Sequence, residues 1–339
     1  MGLTIHPKRR HLYLLVESTA GTWMTSASVF VVANSTVPHE SLKFMPTVEF
    51  TERDLDGASL QKIAAPSGSQ SGAMSFSTRL IAPATKGVAG PLSPLFKALG
   101  LSETLVAGTS ATYVEDPNSM TTLSVGWGIM REDGSIEVEH GIAGARVRKL
   151  DIKATGGGKL FMCDWELYGK IAYESTAPVA IDDATPNNGI TYVDDNAAGF
   201  KFLGVTARTN LLARDISTFE FSVGRTVELG VDIGDRTGYD YAHIGGTDPT
   251  LKIDPTKVSI ATASDLANMI SGGMSAASLT ATAPNGATFT WSTPNLQPIS
   301  LSDDARGSAT SVWGIQAKCR RSQTGLAVDA SNAWQIVFA

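Results

Sequence analysis

The sequence predicts a mainly β protein built as two tandem β-sandwich or barrel units, each flanked by one short helix. Three observations predict this. Short segments of alternating apolar and polar residues fill most of the 339-residue chain. One order of elements occurs twice: β-patterned segments, a short amphipathic helix, then a hairpin-rich β block. The first pass covers 44–171 with its helix near 91–101, and the second covers 216–339 with its helix near 264–270. Between them, 174–199 is rich in Pro, Asp, Asn, Thr and Gly and has no periodicity, which marks a linker. The expected organisation is therefore an N-terminal arm of the first unit (1–43), a first β domain (44–173), the linker (174–199) and a second β domain (200–339).

In the arm, 12–16 and 29–33 read as short strands around a Gly21-Thr22 turn. Residues 51–72 read as a long exposed loop, polar at 51–57 and Pro/Gly/Ser-rich at 66–72, and long ordered loops commonly make contacts. A strand is expected at 74–81. Pro91 then opens a helix in which Leu92, Leu95, Phe96 and Leu99 share a face and Gly100 is the stop. Strands are expected at 104–114 and 121–132. Asp133-Gly134 is a hairpin signal leading to 135–139, followed by 146–154, a Gly-rich turn and 159–168. In that last strand Phe161, Cys163, Trp165 and Leu167 alternate with Met162, Asp164, Glu166 and Tyr168, the pattern of a half-buried strand.

In the second half, strands are expected at 219–223 and 227–233. A turn-rich stretch, 234–249, leads to 251–253. Ser264 can cap the second helix with Asp265 in its first turn, Leu266, Met269 and Ile270 share a face, and Gly272-Gly273 ends it. Asn285-Gly286 reads as a type I′ hairpin between 278–283 and 287–292. Strands near 311–319 and 332–339 close the chain. Trp334, Ile336 and Phe338 alternate to the end, so the C-terminus is expected inside a sheet. Helices this short do not stand alone in water, so their apolar faces must cap the β core or meet a partner.

Composition narrows the function. Charged residues are 18% of the chain, below the usual quarter, and the net charge is −6. A tight nucleic-acid binder needs a surplus of Lys and Arg, and this chain has none overall. The apolar run after Lys8-Arg9-Arg10 is five residues long and ends at Glu17, too short for a signal peptide. No run approaches a membrane span, so a soluble product made in the cytoplasm is expected. Cys163 and Cys319 read as two small buried thiols, a mutual disulfide being the other reading.

No constellation carries catalysis, a cofactor or a metal. Thr155-Gly156-Gly157-Gly158-Lys159 lacks the spacing of a phosphate loop and leads into a strand, so it reads as a hairpin turn. Asp232, Asp235 and Asp240 lack the order of a calcium loop, and Asp182, Asp183, Asp194 and Asp195 suit a polar linker. The histidines (His6, His11, His39, His140, His243) stand at no ligand spacing. Trp23, Trp127, Trp165, Trp291, Trp313 and Trp334 are scattered through strand patterns as core or interface aromatics, with a saccharide platform as the alternative. The chain is not expected to be an enzyme.

Several segments resemble a known family. They are HLYLLVESTAGTW, LKFMPTVEFTERDLDG and GAMSFSTRLIAP, then GPLSPLFKALGLSETLVAGTSATYV, then SVGWGIMREDGSIEVEHGIAGARVRKLDIKATGGGKLFMCDWELYG. STFEFSVGRTVELGVDIGDRTGY through NAWQIVFA is similar to the second half of longer members. The family is that of the tail tube proteins (major tail proteins) of long, non-contractile-tailed phages. The resemblance implies a structural virion protein of the tail, made in the host cytoplasm, whose inner sheets join into rings that stack into a hollow tube for the genome. With six units per ring, two units per chain imply a trimer with pseudo-sixfold symmetry, and a decorating second pass would imply a hexamer. It also implies a tape measure protein and tail tip or terminator proteins as partners.

Net acidity suits a conduit that does not grip DNA. Glu137 and Glu139, and Asp164 and Glu166, are the candidate lumen carboxylates, with outer solvent as the alternative. The candidate ring-contact loop carries Thr51, Arg53, Asp54, Asp56, Ser67, Ser69 and Gln70, and deletion of 65–72 is expected to leave folded subunits that form no tubes. Leu95, Phe96, Leu99, Leu266, Met269 and Ile270 are the candidate helix contacts. The competing readings are a carbohydrate-binding adhesin of the tail tip and the inner tube of a contractile injection machine.

Overall fold

The computed structural model describes residues 5–24, 37–50, 67–116, 118–131, 136–156, 158–172, 200–201, 205–208, 210–257, 265–306, 310–321, 323–324, 327–328 and 333–339. The first half holds β1 (Ile5–Val16), β2 (His39–Phe50), β3 (Ser67–Arg79), α1 (Ser93–Ala98), β4 (Leu101–Val106), β5 (Ser110–Glu115), β6 (Leu123–Arg131), β7 (Ile136–Thr155) and β8 (Met162–Ala172). The second holds β9 (Val205–Arg208), a 3-10 turn (Asn210–Ala213), β10 (Thr218–Val231), β11 (Tyr239–Thr247), β12 (Thr250–Ile253), α2 (Asp265–Ile270), β13 (Ser275–Thr282), β14 (Thr288–Arg306), β15 (Thr310–Arg320) and β18 (Gln335–Phe338). The two-residue strands β16 (Gln323–Thr324) and β17 (Ala327–Val328) pair with each other.

The other sixteen strands form one antiparallel sheet with the path β2-β3-β8-β7-β10-β12-β15-β14-β18-β5-β4. Along it, β2, β3, β8 and β7 come from the first half and β10, β12, β15 and β14 from the second. The halves meet where β7 runs beside β10 from Thr155↔Thr218 to Lys149↔Gly224. They meet again where β18 lies between β14 and β5.

Strand alternation gives this eight-strand run two unlike faces. One row across it reads Thr78, Cys163, Ile152, Phe221, Leu251 and Ala317, all buried. The neighbouring row reads Glu40, Ser77, Asp164, Asp151, Ser222, Thr250, Lys318 and Gln297, one polar residue per strand. The apolar face folds over a core drawn from both halves. Its largest members are aromatic. Phe161 and Phe219 stand 6.0 Å apart, Phe219 and Trp291 5.6 Å, and Phe221 and Trp334 5.0 Å, all edge-on.

The structure redraws several expected elements. Residues 67–72 are the first half of β3, paired with β2 and in part with β8, and are not part of a loop. Small residues are required there by crowding: a Cβ on Gly72 would lie 2.8 Å from the Phe44 ring and 2.9 Å from Ile142. Deleting 65–72 would therefore remove strand pairing, and that deletion is not a clean test of tube contact. Residues 51–66, with Thr51, Arg53, Asp54 and Asp56, lie outside the described residues, as does the expected strand at 29–33.

The expected strands 135–139 and 146–154 are one strand, β7. Gly141 and Gly144 sit inside it, Gly144 at an irregularity of pairing with φ +58°. Conversely, the expected strand 104–114 is the hairpin β4–β5, turned at Gly108 with φ +69°. Strand β11 falls in a stretch expected to be turns, because its Gly and polar residues hide the alternation. At Asn285-Gly286 only the glycine has positive φ (+84°), so the turn is not type I′. It closes instead through Gly286 N–H to Ala283 O (2.9 Å) and Ala283 N–H to Ala287 O (2.8 Å). Helix α1 starts two residues after Pro91, with Pro94 in its first turn. Ser264, the expected cap of α2, lies outside the described residues, as do Asp133-Gly134 and the linker 174–199.

Candidate assembly surface

The polar face of the eight-strand run is a lattice of paired charges. Lys153 on β7 lies 3.1 Å from Asp151, 3.0 Å from Asp164 on β8 and 3.8 Å from Glu220 on β10. Lys149 lies 2.9 Å from Asp151, and Arg148 pairs with Glu166. Ser77 Oγ donates to Asp164 (2.7 Å) and Ser222 Oγ to Asp151 (2.6 Å). Burial alone would raise the Asp151 pKa, but Ser222, Lys149 and Lys153 outweigh it and hold the carboxyl below its ordinary value. Burial likewise opposes the charge on Lys153, and its carboxylate neighbours win, so its pKa is raised. Of the four candidate lumen carboxylates, Asp164 and Glu166 stand on this face, each neutralised by a cation. Glu137 and Glu139 belong to β7, and their side chains lie outside the described residues.

The run ends in two open edges. Among the described residues β2 pairs only with β3. Strand β14 is flanked at Leu296 by Ser275 of β13 and Cys319 of β15, so these strands lie on opposite sides. Among the described residues, only the β15 side is paired from Gln297 to Arg306. The exposed Met45 and Phe50 lie on β2. An unpaired edge is a template for another strand. Neither edge was legible in the sequence, since edge status depends on which strands pair.

The two helices differ. Leu95, Phe96 and Leu99 of the first helix region are buried, and the Phe96 ring meets Tyr113 at 4.8 Å, Trp165 at 5.5 Å and Phe338 at 6.2 Å. In α2, Leu266 and Ile270 are 51% and 75% exposed, and Met269 is half-buried. Asp265 ties down the start of α2, buried and bound by both Arg214 terminal nitrogens at 2.5 and 2.8 Å. Its expected apolar face does not cap the core, so it is free for a contact.

Of the candidate loop residues inside β3, Ser67 is exposed and Ser69 and Gln70 are half-buried; Gln70 N–H donates to Thr237 O (2.9 Å) in the turn before β11. That turn is tied down by Asp235, which takes Lys170 Nζ at 2.6 Å, while Asp232 accepts Gly234 N–H at 2.8 Å. Both cysteines are free and buried, which excludes the disulfide. Burial pushes the Cys319 thiol up to about 12 and raises Cys163 as well. Trp165, Trp291 and Trp334 are core residues, and Trp313 lies under Lys257 at 4.5 Å. Among the described residues no three His, Cys, Asp or Glu side chains gather as metal ligands, and no helix is long and apolar enough to cross a membrane.

No curated protein matches the chain. Residues 7–311 match the model of the family described as phage tail tube protein. That match takes in the two-faced sheet up to the first residues of β15, and on it the chain belongs to the phage tail tube protein family.

Proposed function

We propose that three copies of this chain close into a ring with pseudo-sixfold symmetry, and that rings stack into the tail tube through which the genome passes. The observation that carries this is the eight-strand run, four strands from each half. Five strands of one half have a counterpart in the other. In the first, β6 and β8 flank β7, and β8 leads on to β3 and β2; in the second, β13 and β15 flank β14, and β15 leads on to β12 and β10. Helices α1 and α2 fall at the same place in this order. Each half is then one tandem unit, and six units make the ring.

The correspondence also says how copies join. Along β7, the side begun by β6 is continued by β10. Along β14, the side begun by β13 is left open beyond Leu296. Since β10 corresponds to β2, the β2 of the next copy fills that place, and the β7–β10 seam is the internal image of the joint between copies. Matching the pairing irregularities at Val147/Lys149 and Pro298/Ser300 aligns Lys153 with Asp304 and Glu220 with Lys43. The Lys153–Glu220 pair across the seam is then replaced between copies by Asp304–Lys43, with the signs exchanged. Both residues are exposed in the single chain.

In such a ring the polar face lines the passage. Its acids are matched by lysines and arginines, so phosphates meet neither a basic track nor a strongly repelling wall. The exposed face of α2 and residues 51–66 are left for contacts between rings, and the tape measure and tail tip proteins are the partners this role requires. Electron microscopy of the purified protein over a concentration series tests the reading. Hollow stacked rings of three chains are expected, and rings of six chains would overturn the arrangement.

A further inference from the structure

Beyond the Lys149↔Gly224 end of the seam between β7 and β10, a cavity of about 310 Å³ is lined by residues of β7, β10 and β11 and of the segment after β5. Arg146, Arg225, Arg321, His243, Glu115 and Asp116 line it. Its charges do not balance. Arg225 lies 3.4 Å from Glu115 Oε1, and Arg321 lies 3.8 Å from Glu115 Oε2. Asp116 turns one oxygen to its own loop, accepting Asn118 N–H at 2.9 Å. Arg146 is only 2% exposed, and no carboxylate among the described residues pairs with it. Among the described residues its Nε has no hydrogen-bond partner, nor has that of Arg225. The Arg146 guanidinium makes a weak contact with Met120 Sδ at 3.8 Å.

A guanidinium stays charged under all ordinary conditions, and a buried charge without a counter-charge is strongly disfavoured. Burial depresses the Arg146 pKa; Tyr241 opposes this, and the like charge of Arg225 adds to it. The arrangement calls for an anion with at least two acceptor oxygens, the shape that a guanidinium fork binds bidentately.

We propose that this cavity is an oxyanion-binding site in which Arg146 is the principal ligand and Arg225 its neighbour, for a phosphate, sulfate or carboxylate group. Two sources share that chemistry: a free inorganic anion, and a carboxylate side chain of another copy. The site does not depend on the trimeric-ring reading; only the second source does.

The test is thermal unfolding of the full chain in chloride buffer with and without inorganic phosphate, at matched ionic strength, for the wild type and Arg146→Met. Phosphate is expected to raise the wild-type melting temperature and leave that of Arg146→Met unchanged, since only a native state that binds is stabilised. In chloride alone the variant is expected to melt no lower than the wild type. A phosphate response equal in both proteins, or absent from both, overturns the site, as does a variant that melts lower in chloride, which would mean a packing role. Assembly in phosphate separates the sources: suppressed tube formation assigns the site to a neighbour's carboxylate, and unaffected tubes assign it to a free anion. Failure of the ring reading leaves the melting comparison intact.

Discussion

Two buried carboxylates show how single residues hold this sheet together. Glu17, 8% exposed, accepts four hydrogen bonds: from Gly21 N–H (2.8 Å), Thr122 Oγ1 (2.6 Å), Ser124 Oγ (2.9 Å) and Gly144 N–H (2.8 Å). It pins the end of β1 to β6 and to the irregularity in β7. Glu17→Ala leaves these donors without a partner, and a loss of roughly 3 kcal/mol is expected in denaturant unfolding. Glu103 accepts Ser93 Oγ (2.6 Å), Tyr113 O–H (2.7 Å) and Lys97 Nζ (2.7 Å), tying α1 to the β4–β5 hairpin. Burial works against its charge, but the hydrogen bonds from Lys97, Ser93 and Tyr113 outweigh this and hold its pKa below 4.5. A lowered carboxyl pKa contributes stability above the unfolded value that is lost as pH falls through the folded one. Glu103→Gln is therefore expected to be less stable than wild type at neutral pH, with the gap narrowing below pH 4.5, read from melting curves over a pH series.

At the scale of elements, the two helices have equal length and opposite roles. Helix α1 is held by its aromatic and leucine face, between strands of both halves. Helix α2 is held at one end by the Arg214–Asp265 pair and leaves Leu266 and Ile270 in the open. Replacing both by Ser is expected to change subunit stability by less than about 1 kcal/mol, because little apolar area returns to water. The same double variant is expected to impair stacking of rings in electron micrographs; unimpaired tubes would remove α2 from the contact. Arg214→Ala is the contrasting change. It strands a buried carboxylate, and roughly 3 kcal/mol of destabilisation is expected in the same unfolding assay.

For the whole molecule, the proposed ring takes the seam between β7 and β10 as the template for the joint between copies. Asp304→Lys places two cations face to face across that joint and is expected to block ring closure while leaving the subunit folded. Adding Lys43→Asp restores opposite charges and is expected to restore rings, read by sedimentation and microscopy. Failure of the double variant to recover would place the joint elsewhere. The proposed joint was out of reach of the sequence because its two strands differ in kind. Lys43 sits in an outermost strand and Asp304 in a long strand whose first part is covered on both sides. Asp164 and Glu166 were legible as outward-facing by alternation, but their pairing with Lys153 and Arg148 arises from a neighbouring strand.

The sequence by itself determined the β class, the place of the two helices, the alternation of the 162–168 strand and the C-terminal strand. These are local properties: side-chain period, turn residues and short-range apolar spacing. It also carried the family, through the order of segments along the chain. Only the tertiary structure decided which strands are neighbours, and with them the main core shared by both halves, the open edges and the cluster of arginines beyond the end of the seam. Gly141 and Gly144 pass through β7, and Ser67 to Gly72 become strand, because backbone pairing and close packing there outweigh residue preference. Long-range pairing sets those outcomes, and no window of sequence contains both partners.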